Sequence, residues 1–164
     1  MVTKEELAEV ISENRSLLYG LAYSVTKNRH DAEDALGQAV VISFEKRETI
    51  VNKEKTKSWV SSVVYNESLK IIKERKNAEL IENFDDLEEF AIEDKNLTPD
   101  KVFTWKKIFE LPENHRTLLF MHYIEDLSIK EICKVFSAPE GTIKTRLRQA
   151  RKALETGLKE GDEK

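Results

Sequence analysis

Leu127-Ser128-Ile129-Lys130-Glu131-Ile132-Cys133-Lys134-Val135-Phe136, then Ser137-Ala138-Pro139-Glu140-Gly141-Thr142, then Ile143-Lys144-Thr145-Arg146-Leu147-Arg148-Gln149-Ala150-Arg151-Lys152-Ala153-Leu154 read as a helix, a short turn and a second helix. In the first helix Ile129, Ile132, Cys133 and Phe136 fall at three- and four-residue spacing, which makes one apolar face. Ile143, Leu147, Ala150 and Leu154 do the same in the second. Lys144, Thr145, Arg148, Gln149, Arg151 and Lys152 point elsewhere, and no acidic residue interrupts them. Pro139 lacks an N–H and biases Ala138 away from helical angles, so the first helix stops before it. This is the layout of a helix-turn-helix, whose second helix enters a DNA major groove. There Arg and Lys reach base edges or phosphates, and the free N–H groups near Gly141 and Thr142 suit a phosphate. The competing reading is a solvated basic face on an ordinary helical hairpin.

Around this basic helix the chain is acidic. It has 164 residues, a formal net charge of −4, 35% charged and 40% hydrophobic residues, and few glycines and prolines. That composition predicts an all-α protein of one or two small domains. The net charge argues against a chain that coats nucleic acid unaided, so the basic helix needs help to hold DNA. The single Cys133 lies on an apolar helix face and reads as a small buried residue, with no disulfide possible within the chain. His30, His115 and His122 lack metal-ligand spacing with Cys133 or with one another. No glycine-rich phosphate loop or recognisable nucleophile is present, so the expectation is no metal, no cofactor and no enzyme. The start, Met1-Val2-Thr3-Lys4-Glu5-Glu6, shows no signal-peptide pattern, and no apolar run reaches membrane-spanning length. A cytoplasmic protein without direct membrane insertion is expected.

Upstream, Thr3 with Glu6 reads as a capping box. Leu7, Val10, Ile11, Leu17, Leu18, Leu21 and Val25 follow at helical spacing, up to a break at Thr26–Arg29 where Asn28 suits a left-handed cap. Asp31 starts the next helix, capped by its own carboxylate; capping also explains Asp31, Glu33 and Asp34 better than a cation site does. This helix runs to about Lys46 with Ala32, Leu36, Ala39, Val40 and Phe44 as its apolar stripe. A polar connection, Thr49 to Lys57, leads to a third helix from Ser58 to Lys76, in which Trp59 is assigned to the core. Residues 77–100 carry many carboxylates against one lysine and read as an acidic linker, with Leu80, Ile81, Phe84, Leu87, Phe90 and Ile92 able to dock on a partner or on the domains. Thr98-Pro99 opens a helix through Phe109, Leu111–Asn114 turns, and Glu113–Ile124 is helical again. The predicted architecture is therefore a helical bundle of three or four helices over 1–76, a linker over 77–100, a helix-turn-helix domain over 101–158 and a polar, frayed tail over 159–164.

Two sets of these residues resemble a known family. Asp31-Ala32-Glu33-Asp34-Ala35-Leu36, Ser58-Trp59, Asn66 and the basic stretch to Lys76 look like the second domain of an extracytoplasmic-function sigma factor. Leu111-Pro112-Glu113, the Tyr123–Ser128 stretch and Glu140-Gly141-Thr142-Ile143-Lys144-Thr145-Arg146-Leu147 look like its fourth domain. The two sets stand in the family's order, cover nearly the whole chain and flank an acidic linker.

The resemblance implies an alternative sigma factor that binds core RNA polymerase, recognises two promoter elements and opens the upstream one. Glu33, Asp34, Gly37, Gln38 and Val41, opposite the apolar stripe of their helix, would dock on the clamp of the polymerase's largest subunit. The family usually has Gln followed by an acidic residue where this chain has Gly37-Gln38. Asn66 would lie near the pocket for a base flipped from the non-template strand, a task for which an amide can both donate and accept. The connection Glu48 to Lys57 would form that pocket's variable wall, and Lys55, Lys57, Lys70, Lys73, Arg75 and Lys76 would hold the DNA backbone. Many members carry Asp or Asn where this chain has Lys70. On the minus-thirty-five element, Lys144, Thr145, Arg148 and Gln149 would contact bases, and Glu140, Gly141, Thr142, Arg146 and Arg151 phosphates. Gln149 replaces a frequent Arg, which shifts preference from guanine towards adenine. The resemblance also implies control by an anti-sigma factor, often membrane-anchored, and Thr49–Trp59 is reminiscent of members that respond to cell-envelope stress.

Two other readings of the same residues remain. An autonomous helix-turn-helix regulator would form a dimer on a two-fold symmetric site. A helical adaptor without DNA activity would be indifferent to neutralising Lys144, Arg148 and Arg151.

Overall fold

The computed structural model describes residues 1–75 and 98–162, and every regular element among them is helical. The chain divides into two units, Met1–Glu82 and Asn83–Lys164. Lys76 and residues 77–97, most of the expected linker, lie outside the described residues. Thr98–Asp100, counted in the expected linker, open the first helix of the second unit as the Thr98-Pro99 pair predicts: Thr98 accepts from the Lys101 N–H at 3.2 Å and Pro99 takes the first helical position.

The first unit holds α1 (Lys4–Glu13), α2 (Arg15–Thr26), α3 (Arg29–Glu45) and α4 (Thr56–Glu74). Helices α2, α3 and α4 pack on one another, with α1 against them. The Thr3/Glu6 capping box forms as expected. The apolar spacing that ran on to Val25 is split between two helices. Asn14 interrupts it, donating its side-chain amide to the Val10 carbonyl at 2.8 Å and so satisfying the end of α1. Helix α2 is the central one, buried from Leu17 through Thr26. It ends at Lys27, whose φ of 51° is left-handed, while the neighbouring Asn28 is extended and accepts from the Asp31 N–H at 2.9 Å. The expected roles are therefore moved: Lys27 takes the left-handed cap, and Asn28 rather than Asp31 caps α3, which begins at Arg29.

The face of α3 that packs inward is made of small residues. Ala32, Ala35, Ala39 and Ser43 are fully buried, whereas Leu36, Val40 and Phe44 are half-buried at its margins. Small side chains at the contact let helix backbones approach closely. The connection from α3 to α4 is ordered by two 3-10 turns, Arg47–Thr49 and Lys53–Lys55, with buried Ile50 between them as an apolar anchor. Lys53 reaches back to Glu6 at 3.0 Å, which fastens this connection to the start of α1.

The second unit holds α5 (Pro99–Phe109), α6 (Glu113–Leu119), α7 (Ile129–Phe136) and α8 (Glu140–Asp162). Between α6 and α7 the expected helix to Ile124 widens into a π-helical turn, Phe120–Ile124. Trp105, Ile108, Leu118, Phe120, Met121, Ile132, Ile143 and Leu147 form the core, with the Trp105 ring 4.8 Å from that of Phe120. Arg116 is buried and donates to the Leu111 carbonyl at 3.1 Å; desolvation pulls its pKa down, opposed by the nearby Glu113. Helix α8 continues through Asp162, so residues 159–162 of the expected tail extend it.

Candidate nucleic-acid interface

The turn of the helix-turn-helix is set by backbone conformation. Ser128 and Glu131 make a capping box at the start of α7: the Glu131 N–H donates to Ser128 Oγ at 3.1 Å, and the Ser128 N–H donates to Glu131 Oε1 at 3.0 Å. At the other end Ser137 is left-handed, with φ 53°, and the Ala138 N–H closes back on the Cys133 carbonyl at 3.0 Å. That reversal, followed by Pro139, ends one helix and starts the next within a few residues.

Ile143, Leu147, Ala150 and Leu154 are buried along α8 as their spacing predicts, and Lys144, Thr145, Arg146, Arg148, Gln149 and Arg151 are exposed. At roughly 100° per residue, Lys144, Arg148 and Arg151 form one stripe and Thr145, Gln149 and Lys152 the adjacent one. Both are directed away from the core and present a single exposed surface, on an element that a major groove admits. Arg146 stands about half a turn from Lys144, off this surface. Gly141 is exposed and a Cβ added there would meet nothing, so the backbone at the start of α8 is open. Glu140 sits beside it and binds Lys144 at 3.0 Å; that hydrogen bond holds the Glu140 carboxyl below its ordinary 4.5.

Arg151 is less free than the sequence implied. Its Nε–H donates to the Tyr123 hydroxyl at 2.8 Å, its Nη2 lies 3.2 Å from His122 Nε2, and the guanidinium rests 5.8 Å from the centre of the Tyr123 ring. His122 and Tyr123 both sit in the π-helical turn. The sequence puts both in a helix, and Tyr123 at the start of the Tyr123–Ser128 stretch, but gives no sign of their contact with Arg151, because that partner is far along the chain and nothing in the local pattern marks a π-turn.

On α4, Asn66, Lys70 and Lys73 are exposed at i, i+4 and i+7, so they share one face. Trp59 and Val63, half-buried, extend that face towards the start of the helix. Trp59, assigned to the core, is half-buried and lies on the same face of α4 as Asn66. Arg75 caps the end of α4 and lies 2.8 Å from Asp31, whose side chain is only 3% exposed. A buried carboxylate needs such a partner, so this arginine holds the start of α3 to the end of α4 as well as standing at the basic end of the helix. Lys76 lies outside the described residues.

Glu33, Asp34, Gly37, Gln38 and Val41 are all exposed and follow one side of α3. Val41 is 53% exposed, a large apolar side chain left in solvent among carboxylates. Gly37 has open space around the position of a Cβ, so no neighbour demands a glycine there. Val51, at 96% exposure, tips the connection between α3 and α4. Among the described residues no group of His, Cys, Asp or Glu is placed to hold a metal ion, and no helix is long and apolar enough to cross a membrane.

These surfaces coincide with two family matches. Residues 10–78 match sigma-70 region 2, and residues 106–154 match sigma-70 region 4. The chain is 27% identical to the RNA polymerase sigma factor SigV of Bacillus subtilis strain 168, over 98% of this chain and 95% of that one. It is 26% identical to the ECF RNA polymerase sigma factor SigW of the same strain, over 96% of this chain and 91% of that one. In fold it is similar to the sigma factor RpoE of Bartonella quintana, solved in complex with the anti-sigma factor NepR, with a TM-score of 0.70 at 19% identity, covering 95% of this chain and 96% of that one. With regions 2 and 4 present in that order and the exposed faces of α4 and α8 lying within them, the chain belongs to the extracytoplasmic-function group of the sigma-70 family of RNA polymerase sigma factors.

Proposed function

We propose that this protein is an alternative sigma factor that binds core RNA polymerase and directs promoter-specific transcription initiation. The observation that carries this reading is that two separate units of one chain each expose a helix face suited to DNA, within region 2 and region 4 respectively. The α8 face of Lys144, Thr145, Arg148 and Gln149 reads the minus-thirty-five element, and Arg146, Arg151 and the start of α8 at Glu140–Thr142 supply phosphate contacts. The α4 face of Asn66, Lys70 and Lys73, together with Arg75 and Lys76, engages the upstream element, with Asn66 beside the pocket for an extruded base. Glu33, Asp34, Gly37, Gln38 and Val41 form the polymerase-docking face of α3, where Val41 gives an apolar anchor within a charged rim. Two short basic faces bind weakly alone, because affinity comes from the number of phosphates neutralised. Joined on polymerase, each raises the effective concentration of the other.

Control by an anti-sigma factor is part of the proposal, supported by the family and by the fold relative solved with one. The partner would cover the polymerase-docking face and can be membrane-anchored. Thr49–Trp59 supports a role in a cell-envelope stress response, and the protein itself works in the cytoplasm, where polymerase is. The test is reconstitution with core RNA polymerase on a promoter library. A stable complex with promoter-selective transcripts is expected, and tight sequence-specific binding by the free chain alone would overturn the reading. Retrieval of the protein from resting cells without any membrane-protein partner would overturn the membrane-anchored regulator.

A further inference from the structure

The Arg151 guanidinium is held on two sides before any DNA arrives. The Tyr123 hydroxyl accepts from Nε–H at 2.8 Å, and His122 Nε2 lies 3.2 Å from Nη2. A guanidinium only donates, so the imidazole accepts through Nε2. These contacts leave Nη1 and the second proton of Nη2 without a partner among the described residues, on a side chain that is exposed. Arg151 shares its stripe of α8 with Lys144 and Arg148 (i, i+4, i+7), so the remaining donors lie on the side of the helix offered to DNA. An unheld arginine gives up much side-chain freedom on binding, and one already clamped and stacked gives up less.

The clamp exists because of the π-helical turn. Phe120–Ile124 carries one extra residue in its turn, which shifts the side-chain register after Leu119. That shift sets Phe120, Met121 and Ile124 in the core and leaves His122 and Tyr123 on the Arg151 side. Such insertions are rare and recur at functional sites.

We propose that His122 and Tyr123 are positioning residues that pre-orient Arg151 as a clamp for one phosphodiester of the duplex flanking the minus-thirty-five element. The inference rests on the sigma-factor reading above and deepens its DNA contact. Tyr123 supplies the acceptor and the stacking face, His122 fixes the plane of the guanidinium, and Arg151 makes the contact.

The test compares full-length protein, reconstituted with core RNA polymerase, carrying Arg151→Ala, Arg151→Lys, Tyr123→Phe or His122→Ala. Promoter affinity is titrated against salt, and thermal unfolding of each free protein is followed in parallel. Loss of one phosphate contact lowers the slope of log affinity against log salt by about 0.9, and that is expected for Arg151→Ala. Arg151→Lys is expected to keep the slope but not the full affinity, since an ammonium retains the charge without the fork or the stack. Tyr123→Phe and His122→Ala are expected to keep the slope and weaken promoter binding about two- to tenfold, with the unfolding midpoint little changed. An unchanged slope for Arg151→Ala, with a lowered unfolding midpoint, would overturn the clamp and make the trio a strut inside the domain. A wild-type complex that selects no promoter would instead bring down the sigma-factor reading, and the clamp with it.

Discussion

Gly37 is exposed in the middle of α3, and a methyl group there would meet nothing within 4 Å. Gly37→Ala is therefore expected to stabilise the first unit by about 1 kcal/mol, measured by denaturant unfolding. If α3 docks on polymerase through a bare backbone at this point, the same variant weakens complex formation while folding more stably, and that opposite movement separates interface from scaffold. Ser137 offers the converse case. Its left-handed φ of 53° is unfavourable for a side chain with a Cβ, and Ser137→Gly should stabilise the second unit by about 0.5 kcal/mol after the entropy of the unfolded glycine is set against the relief. Glu140 controls charge rather than stability. Its hydrogen bond to Lys144 lowers the carboxyl pKa, so the pairing is complete above 4.5 and is lost as pH falls through the lowered value. At neutral pH Glu140→Gln frees Lys144 and should raise non-specific DNA affinity about two- to fivefold, read by titration of the free protein at low salt. The α8 faces were legible in the sequence because burial there follows one helical period. Arg75 and Arg151 were legible only as charges, because the residues that hold them, Asp31 and Tyr123 with His122, lie far away along the chain.

Among elements, the joint between α3 and α4 depends on the Asp31–Arg75 pair at 2.8 Å, with Asp31 buried and Arg75 partly in solvent. Arg75→Ala strands that carboxylate and is expected to cost about 2–3 kcal/mol, below the full value for a wholly buried pair because one partner is wet. Asp31→Asn combined with Arg75→Ala should recover part of the loss, since no buried charge remains; a double variant no better than the single one would show that the pair is incidental. Helix existence was readable from apolar spacing, the Thr3/Glu6 capping box and Pro99, and the observed starts at Thr3, Thr98 and Ser128 follow the chemistry of their caps, the Ser128/Glu131 box having gone unread. The breaks were less readable. Asn14 divides α1 from α2 without glycine or proline, by using a side-chain amide to close a helix end that the apolar period runs straight across. The π-helical turn likewise keeps the composition of an α-helix and differs only in register. Trp59 was assigned to the core on the buried area a tryptophan supplies, an argument that does not give the extent of burial, and the residue is half-buried.

At the scale of the whole molecule the charges are divided unevenly. Residues 1–75 carry twelve basic and twelve acidic side chains, residues 98–162 carry twelve and ten, and residues 76–97 carry two and eight. The net acidity thus resides in residues 76–97, the stretch that straddles the boundary of the two units. Replacing its carboxylates by amides is expected to strengthen retention of the free protein on non-specific DNA and to steepen the decline of that retention with salt; an unchanged salt titration would remove the acidic stretch as the restraint. Val2 and Thr3 tie the start of α1 into the first unit. Val2 is 1% exposed although Met1 beside it is 75% exposed, Thr3 caps α1, and Glu6 ties that cap to Lys53 in the connection between α3 and α4. An affinity tag joined ahead of Met1 therefore leaves the tie in place. Removing residues 1–3 would take away the buried valine and the cap together, and is expected to loosen the hold of α1 on the connection between α3 and α4.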